Sequence, residues 1–204
     1  MAISHDLSLL GVAVASGSTS VGDRVAHAKP GVGVVATQAY TNVVYGVKGL
    51  ELLRKGSSPT EALSKLLSED SESDKRQVAI IDFKGRKAVF TGANVPEYRA
   101  EIVGKDYVVI GNLLSKENVA VSVAEAFESS SGNLALRLAK ALEAGSKSGG
   151  DRRGEVSAAL TVISAEKVEV KIKIDFHENP IDELFQKLKL QHNFHLKTFN
   201  NFET

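Results

Sequence analysis

Residues 10–15 and 31–39 are two runs of Val, Ala and Gly almost free of charge, the pattern of strands covered on both faces. They predict a buried pair, with Gly11, Gly31 and Gly33 leaving room for close backbone approach. The connection between them is polar: Ser16, Gly17, Ser18, Thr19, Ser20, Asp23, Arg24, His27 and Lys29 gather hydroxyls, an acid and bases at one end of the pair. A solvated loop capping two core strands is the plain alternative. Ahead of the first run, residues 2–5 predict a short strand and Asp6 a turn.

The pattern then changes period. Tyr45, Leu50, Leu52 and Leu53 before Gly56 read as a helix closed by a C-terminal glycine. Ser58, Pro59, Thr60 and Glu61 form a capping box with proline at the first helical position, followed by Leu63, Leu66 and Leu67 at helical spacing. Residues 76–82 and 86–91 flank Phe83-Lys84-Gly85 as a hairpin, and residues 107–110 add a strand. Ser115 is placed to cap a helix reaching Phe127, with Val119, Val123, Ala126 and Phe127 on one face. Leu134, Leu138, Ala141 and Leu142 mark another helix. Residues 157–164 and 167–175 are strands again, the second alternating so that Val168, Val170, Ile172 and Ile174 point inward. Asn179 and Pro180 open a last helix striped by Ile181, Leu184, Phe185 and Leu188, and after about Gln191 the chain turns polar.

Grouped helices and hairpin-linked strands predict an α+β fold. The economical arrangement is a four-layer αββα sandwich of two mainly antiparallel sheets flanked by helix pairs. Residues 1–190 form one domain and residues 191–204 a polar C-terminal tail, where Phe194 and Phe199 offer a docking point for a homodimer or other homo-oligomer.

Composition narrows the function classes. Among 204 residues, Lys plus Arg equals Asp plus Glu at 25 each, so no electrostatic ground exists for nucleic acid or an anionic membrane. Cysteine is absent, which removes disulfides, thiolate catalysis and Cys-based zinc sites. The five His residues lack metal-ligand spacing, so no metal and no cofactor is expected. With no long apolar run and no signal-peptide pattern, a cytoplasmic location is the expectation.

A second informative stretch is GGDRRGEVSAAL, residues 149–160. Its paired glycines permit positive φ, and Asp151 beside Arg152 and Arg153 can either lock the turn or bind a carboxylate. Ser157 opens an apolar strand and can face the same end as Ser16. Neither a nucleophile elbow nor a P-loop is present.

LGVAVAS, PGVGVVATQAYTNVVYGVKGLELL, RQVAIID, GNLL, GGDRRGEVSAAL and DFHENPIDEL occur in the order and spacing of domain-of-unknown-function family 1028, which the chain resembles from about residue 10 to residue 190. That family is similar to the N-terminal-nucleophile (Ntn) hydrolases, whose fold is the αββα sandwich. The resemblance implies an amide-bond hydrolase in which an N-terminal Thr, Ser or Cys attacks a carbonyl and its own amine serves as base. By position Ser16 takes the place of the orienting acid and Lys29 that of the basic residue. Many relatives begin Thr-Phe-Ser, whereas this chain begins Met1-Ala2-Ile3-Ser4, which leaves three readings: the true start lies upstream, cleavage exposes Ser4, or the protein lacks Ntn catalysis.

The candidate catalytic residues are therefore Ser4, Ser16, Lys29, Asp151 and Ser157. Ser18, Gln38, Asn42, Asn112, Arg152 and Arg153 are candidates for binding a small amide or peptide, with Gln38 and Asn42 as amide donors and backbone near Gly111 and Asn112 completing an oxyanion site. The plain reading of Gln38, Asn42 and Asn112 is that they satisfy backbone at strand ends and turns. A non-catalytic binding protein or an oligomeric scaffold on the same fold is the rival function.

Overall fold

The computed structural model of the chain describes residues 1–200, with side chains to Gln191. Its first elements are β1 (Ala2–Ile3), β2 (Leu10–Ser16), α1 (Val21–Arg24), β3 (Ala26–Lys29), β4 (Gly33–Ala39), α2 (Val44–Arg54) and α3 (Pro59–Ser68). There follow β5 (Arg76–Asp82), β6 (Lys87–Thr91), β7 (Ala100–Val103), β8 (Val108–Gly111), α4 (Val119–Ser129) and α5 (Leu134–Lys147). The chain closes with β9 (Ser157–Ile163), β10 (Val168–Ile174) and α6 (Pro180–Asn200).

Two four-stranded antiparallel sheets result, ordered β1-β2-β9-β10 and β3-β4-β5-β6, beside a β7-β8 hairpin. Their alternation sorts the core. Leu10, Val12 and Ile163 from the first sheet meet Val34, Ala36, Ala79 and Ile81 from the second in one buried cluster. On the other side of the first sheet, Leu160, Val162, Ile172 and Ile174 pack with Phe127, Leu134, Leu138, Ile181 and Leu184 of α4, α5 and α6. Val35, Val78 and Ile80 pack with Tyr45, Leu50, Leu53, Leu63 and Leu66 of α2 and α3. Among the described residues no helix is long and apolar enough to cross a membrane.

Several elements follow local signals closely. The Ser58 hydroxyl accepts from the Glu61 N–H while the Glu61 carboxylate accepts from the Ser58 N–H, so the capping box forms as expected. Other expectations are corrected. β2 and β4 are not a bonded pair: they lie in different sheets and face each other, because β9 and β5 take their edges. The polar connection between them holds a helical turn and a strand, since residues 26–29 pair with residues 33–36. Residues 100–103 form a strand that the sequence reading passed over. Ser115 caps nothing: its N–H donates to the Gly150 carbonyl, and α4 starts at Val119. Val168 is 45% exposed, because the register shifts between it and Val170. The last helix continues past Gln191 to Asn200, while the side chains of Phe194 and Phe199 lie outside the described residues.

Loops meet β5 through a half-hidden ion pair. Arg76, 4% exposed, donates from Nε to Asp70 (2.8 Å) and from Nη1 to the Tyr40 carbonyl (2.5 Å), and the Tyr45 hydroxyl donates to Asp70 at 3.0 Å. Mainly the Arg76 hydrogen bond pulls the Asp70 carboxyl down to about 2, against the opposing effect of burial. Removing Asp70 leaves the buried guanidinium only the Tyr40 carbonyl and the longer contact to Glu72 at 3.4 Å, so Asp70→Ala is expected to cost about 2–3 kcal/mol in urea denaturation. Because this pKa is depressed, the pair contributes fully above the unfolded carboxyl's value near 4 and loses its contribution as pH falls through about 2. The deficit should therefore persist at mildly acidic pH; equal stability of parent and variant there would sink the assignment.

Candidate functional site

The apolar contact between the sheets ends in a cavity of about 210 Å³ where β2 finishes at Ser16 and β4 at Ala39. That is roughly the space of seven waters. Its polar wall comes from separate segments: Ser16 and Ser18 after β2, Arg24, Gln38, Asn112 after β8, and Asp151, Arg153 and Glu155 from the loop before β9.

Two loops are clasped to make that wall. Asp151 accepts from the Gly17 N–H at 2.9 Å and from Arg153 Nε and Nη2 at 2.9 and 2.6 Å. Gly17 permits the approach: a Cβ there would lie 2.8 Å from the Gly154 carbonyl oxygen. Arg153 reaches on to the hydroxyls of Ser18 (3.2 Å) and Ser16 (3.5 Å). Burial pushes the Asp151 carboxyl upward, but the Arg153 side-chain bond, the Gly17 and Arg153 N–H groups and the Arg153 charge together bring it below its ordinary value. Glu155 braces the same loop, accepting from the Asp151 N–H and the Ser146 hydroxyl. Gly150 holds φ +56 with Glu155 packed where its Cβ would be, which explains the paired glycines.

Strain collects here too. Ala39 and Leu113, both lining the cavity, hold left-handed backbone at φ 68 and 53. Ordinary side chains carry a penalty of about 1 kcal/mol or more in that conformation, and such residues cluster at sites.

Of the sequence candidates, Ser16, Ser18, Gln38, Asn112, Asp151 and Arg153 come together at the cavity, and Gly111 lines it. The others go elsewhere. Ser157 is buried beside Ser16 in the ladder, but its hydroxyl donates to the Ser18 carbonyl at 2.5 Å and accepts from the Val21 N–H, which shapes the loop. The Asn42 side-chain oxygen accepts from the Val44 N–H at the start of α2. Arg152 is exposed and outside the lining, although its N–H donates to the Leu113 carbonyl. Ser4 sits in the β1-β2 turn, donating to Asp6 at 2.6 Å and accepting from the Leu9 N–H. That turn is about 20 Å from Ser16 along β2. Lys29 lies at the far end of β4 from Gln38 and lines a separate cleft of about 620 Å³ with His27, Asp23 and Lys173. The cleft is wider, but Lys173 there is already paired with Asp23 at 2.5 Å.

Sequence reasoning passed over Gln77, Glu155 and the Met1 amine. Gln77 is fully buried and bonded to both Gln38 and Asn112. Its signal was a polar residue in phase with Ala79 and Ile81 on an otherwise apolar strand face. Met1 is among the residues lining the cavity; its amine donates to the Val108 carbonyl at 2.9 Å, and burial lowers its pKa to about 5.

Comparison with known proteins follows the same frame. The model of a family of unknown function, DUF1028, matches residues 1–184. The crystal structure of protein SPO2555 from Silicibacter pomeroyi, of that family, superposes with a TM-score of 0.86 at 32% identity, covering 92% of this chain and 82% of that one. Anbu, an ancestral beta-subunit from Yersinia bercovieri, gives a TM-score of 0.44 at 10% identity over 99% of this chain and 94% of that one. No curated protein matches the chain.

Asp151→Ala would leave Arg153 and the Gly17 N–H without their acceptor, an expected loss of about 1–3 kcal/mol. The lowered carboxyl pKa sets the sign: the contribution is whole above the unfolded value near 4 and fades as pH drops through the lower folded value. Urea melts between about pH 7 and pH 3 should show the gap between parent and variant narrowing with acid; a gap that widens would contradict this role.

Proposed function

We propose that this chain, which belongs to the DUF1028 family of unknown function, binds a small polar molecule in the cavity between its sheets. The frame we infer is the four-layer, Ntn-hydrolase-like αββα arrangement, supported by three core clusters stacked helix, sheet, sheet, helix. One observation carries the binding reading. Polar groups from separate loops converge on one cavity at the end of an otherwise apolar interface, and Arg153 ties three of them together.

Amide-bond hydrolysis is the second reading, and the Met1 amine favours it. Burial lowers the pKa of the Met1 amine, the direction that frees an amine to take a proton from water or from a hydroxyl, and Met1 is among the residues lining the cavity. Met1 carries no hydroxyl, and the Ser4 hydroxyl is engaged at the other end of β2. Turnover on this reading requires a hydroxyl or thiol brought to the cavity by processing or by the substrate's own chemistry. The sequence-derived expectation of a homo-oligomer is kept as a proposal for light scattering.

Calorimetry and thermal shift against free amino acids, primary carboxamides and dipeptides test the binding reading. A ligand at about 100 times its Kd should add about 2.7 kcal/mol to stability. Arg153→Ala or Ser18→Ala should weaken that ligand roughly tenfold while leaving a cooperative melt. Absence of any stabilising compound removes this reading. Sustained release of ammonia or amine from an amide substitutes hydrolysis for simple binding.

A further inference from the structure

We propose that the cavity selects ligands presenting a nitrogen donor, a carboxamide NH2 or an ammonium, and rejects carboxylates at the same position, because Gln77 fixes the direction of two neighbouring amides. This rests on the binding reading above.

The direction is set from the surface inward. The Thr91 hydroxyl donates to the Glu101 carboxylate at 2.7 Å, so its lone pairs face Gln77. Gln77 Nε2 lies 3.1 Å from Thr91 Oγ1, 3.1 Å from the Ala100 carbonyl and 3.0 Å from the Gly111 carbonyl. Carbonyl oxygens only accept, so this atom must be the NH2 end of the amide. Gln77 Oε1 then faces the other way and accepts from Gln38 Nε2 at 2.8 Å and Asn112 Nδ2 at 3.2 Å. An amide oxygen cannot donate, so both neighbours must turn their NH2 groups to Gln77. Their carbonyl oxygens, Gln38 Oε1 and Asn112 Oδ1, have no hydrogen-bond partner among the described residues, and both residues line the cavity.

Reversing either neighbour would set two amide oxygens against each other, and reversing Gln77 would set its oxygen against two carbonyls. Reversing either neighbour breaks one hydrogen bond and reversing Gln77 breaks several, in each case at a residue that is fully buried. One of the two Gln38 N–H donors is used within the protein, so besides the donor expected from sequence its amide also offers an acceptor. Two acceptors remain, held in one orientation. Backbone pairing supports the geometry, because Gln38, Gln77 and Thr91 are successive cross-strand partners in β4, β5 and β6.

The Ser16 and Ser18 hydroxyls belong to residues lining the same cavity. Each accepts from Arg153, leaving its own hydrogen free to donate. A carboxamide would satisfy both kinds of group, its NH2 on the amide oxygens and its carbonyl on a serine.

Three probes of matched length separate the sources of a nitrogen donor from each other and from an acid: butyramide, butylammonium and butyrate. Titration of the full chain followed by backbone amide NMR shifts at Ser16, Gln38 and Asn112 should show one or both nitrogen probes binding at least roughly tenfold tighter than butyrate. The Asn112→Ala variant should lose most of that preference. Gln77→Met, if it folds, frees both amides to turn and should let butyrate bind comparably; Asn112→Ala alone decides the matter if it does not. Butyrate equal to or tighter than both nitrogen probes in the parent overturns the inference and leaves the binding reading standing. No shift with any probe overturns both.

Discussion

Strand alternation is the constraint on which the core and the cavity both depend. In β4, Val34, Ala36 and Gln38 share the face turned to the other sheet, and in β5, Ile81, Ala79 and Gln77 share theirs. Over most of its length this face is aliphatic and closes against Leu10, Val12 and Ile163. At one end the same phase carries glutamines in place of aliphatic side chains, and the interface opens. Site and core are successive rungs of one ladder, and antiparallel pairing aligns the rungs of three strands without help from any loop.

Charges in this protein act mostly as fasteners. Arg76 and Asp70 hold the start of β5 to the loops on either side. Asp151 and Arg153 hold the loop before β9 to the turn after β2. Both pairs include a carboxylate whose pKa is lowered by its arginine, and both bridge segments distant in sequence. Arg153 differs in having donors left over for the serines, so a single side chain serves loop closure and cavity chemistry together. This double use explains how a chain with balanced formal charge can still carry a concentrated polar site.

The sequence made local structure readable where the signal was local. A capping box at Ser58 and Glu61, a glycine turn at Gly85 and leucine spacing in α5 each act within a few residues, and each element formed. Pairing partners were less readable. Runs covered on both faces look alike whether they lie side by side or face each other, so the sequence did not tell that β2 and β4 belong to opposite sheets, where β9 and β5 are their bonded neighbours. β3 escaped notice because Ala26–Lys29 is short and only partly buried, and is held by pairing with β4 rather than by its own composition. At the site, Ser16, Ser18, Asp151 and Arg153 were legible because hydroxyls and charges beside glycines stand out. Gln77 was not: its role depends on which way an amide is turned, which pairing across three strands decides.

The shared phase of core and cavity has a consequence for how such a protein can diversify. Substitution at Gln38 retunes the cavity wall while Val34 and Ala36 continue to fill the interface. Insertion or deletion of one residue within β4 is different in kind. It would turn Val35 and Thr37, now on the helix-facing side, toward the opposite sheet, and expel the present lining. Length in this strand is therefore held far more tightly than composition, and divergence in ligand preference is channelled into point changes at alternate positions.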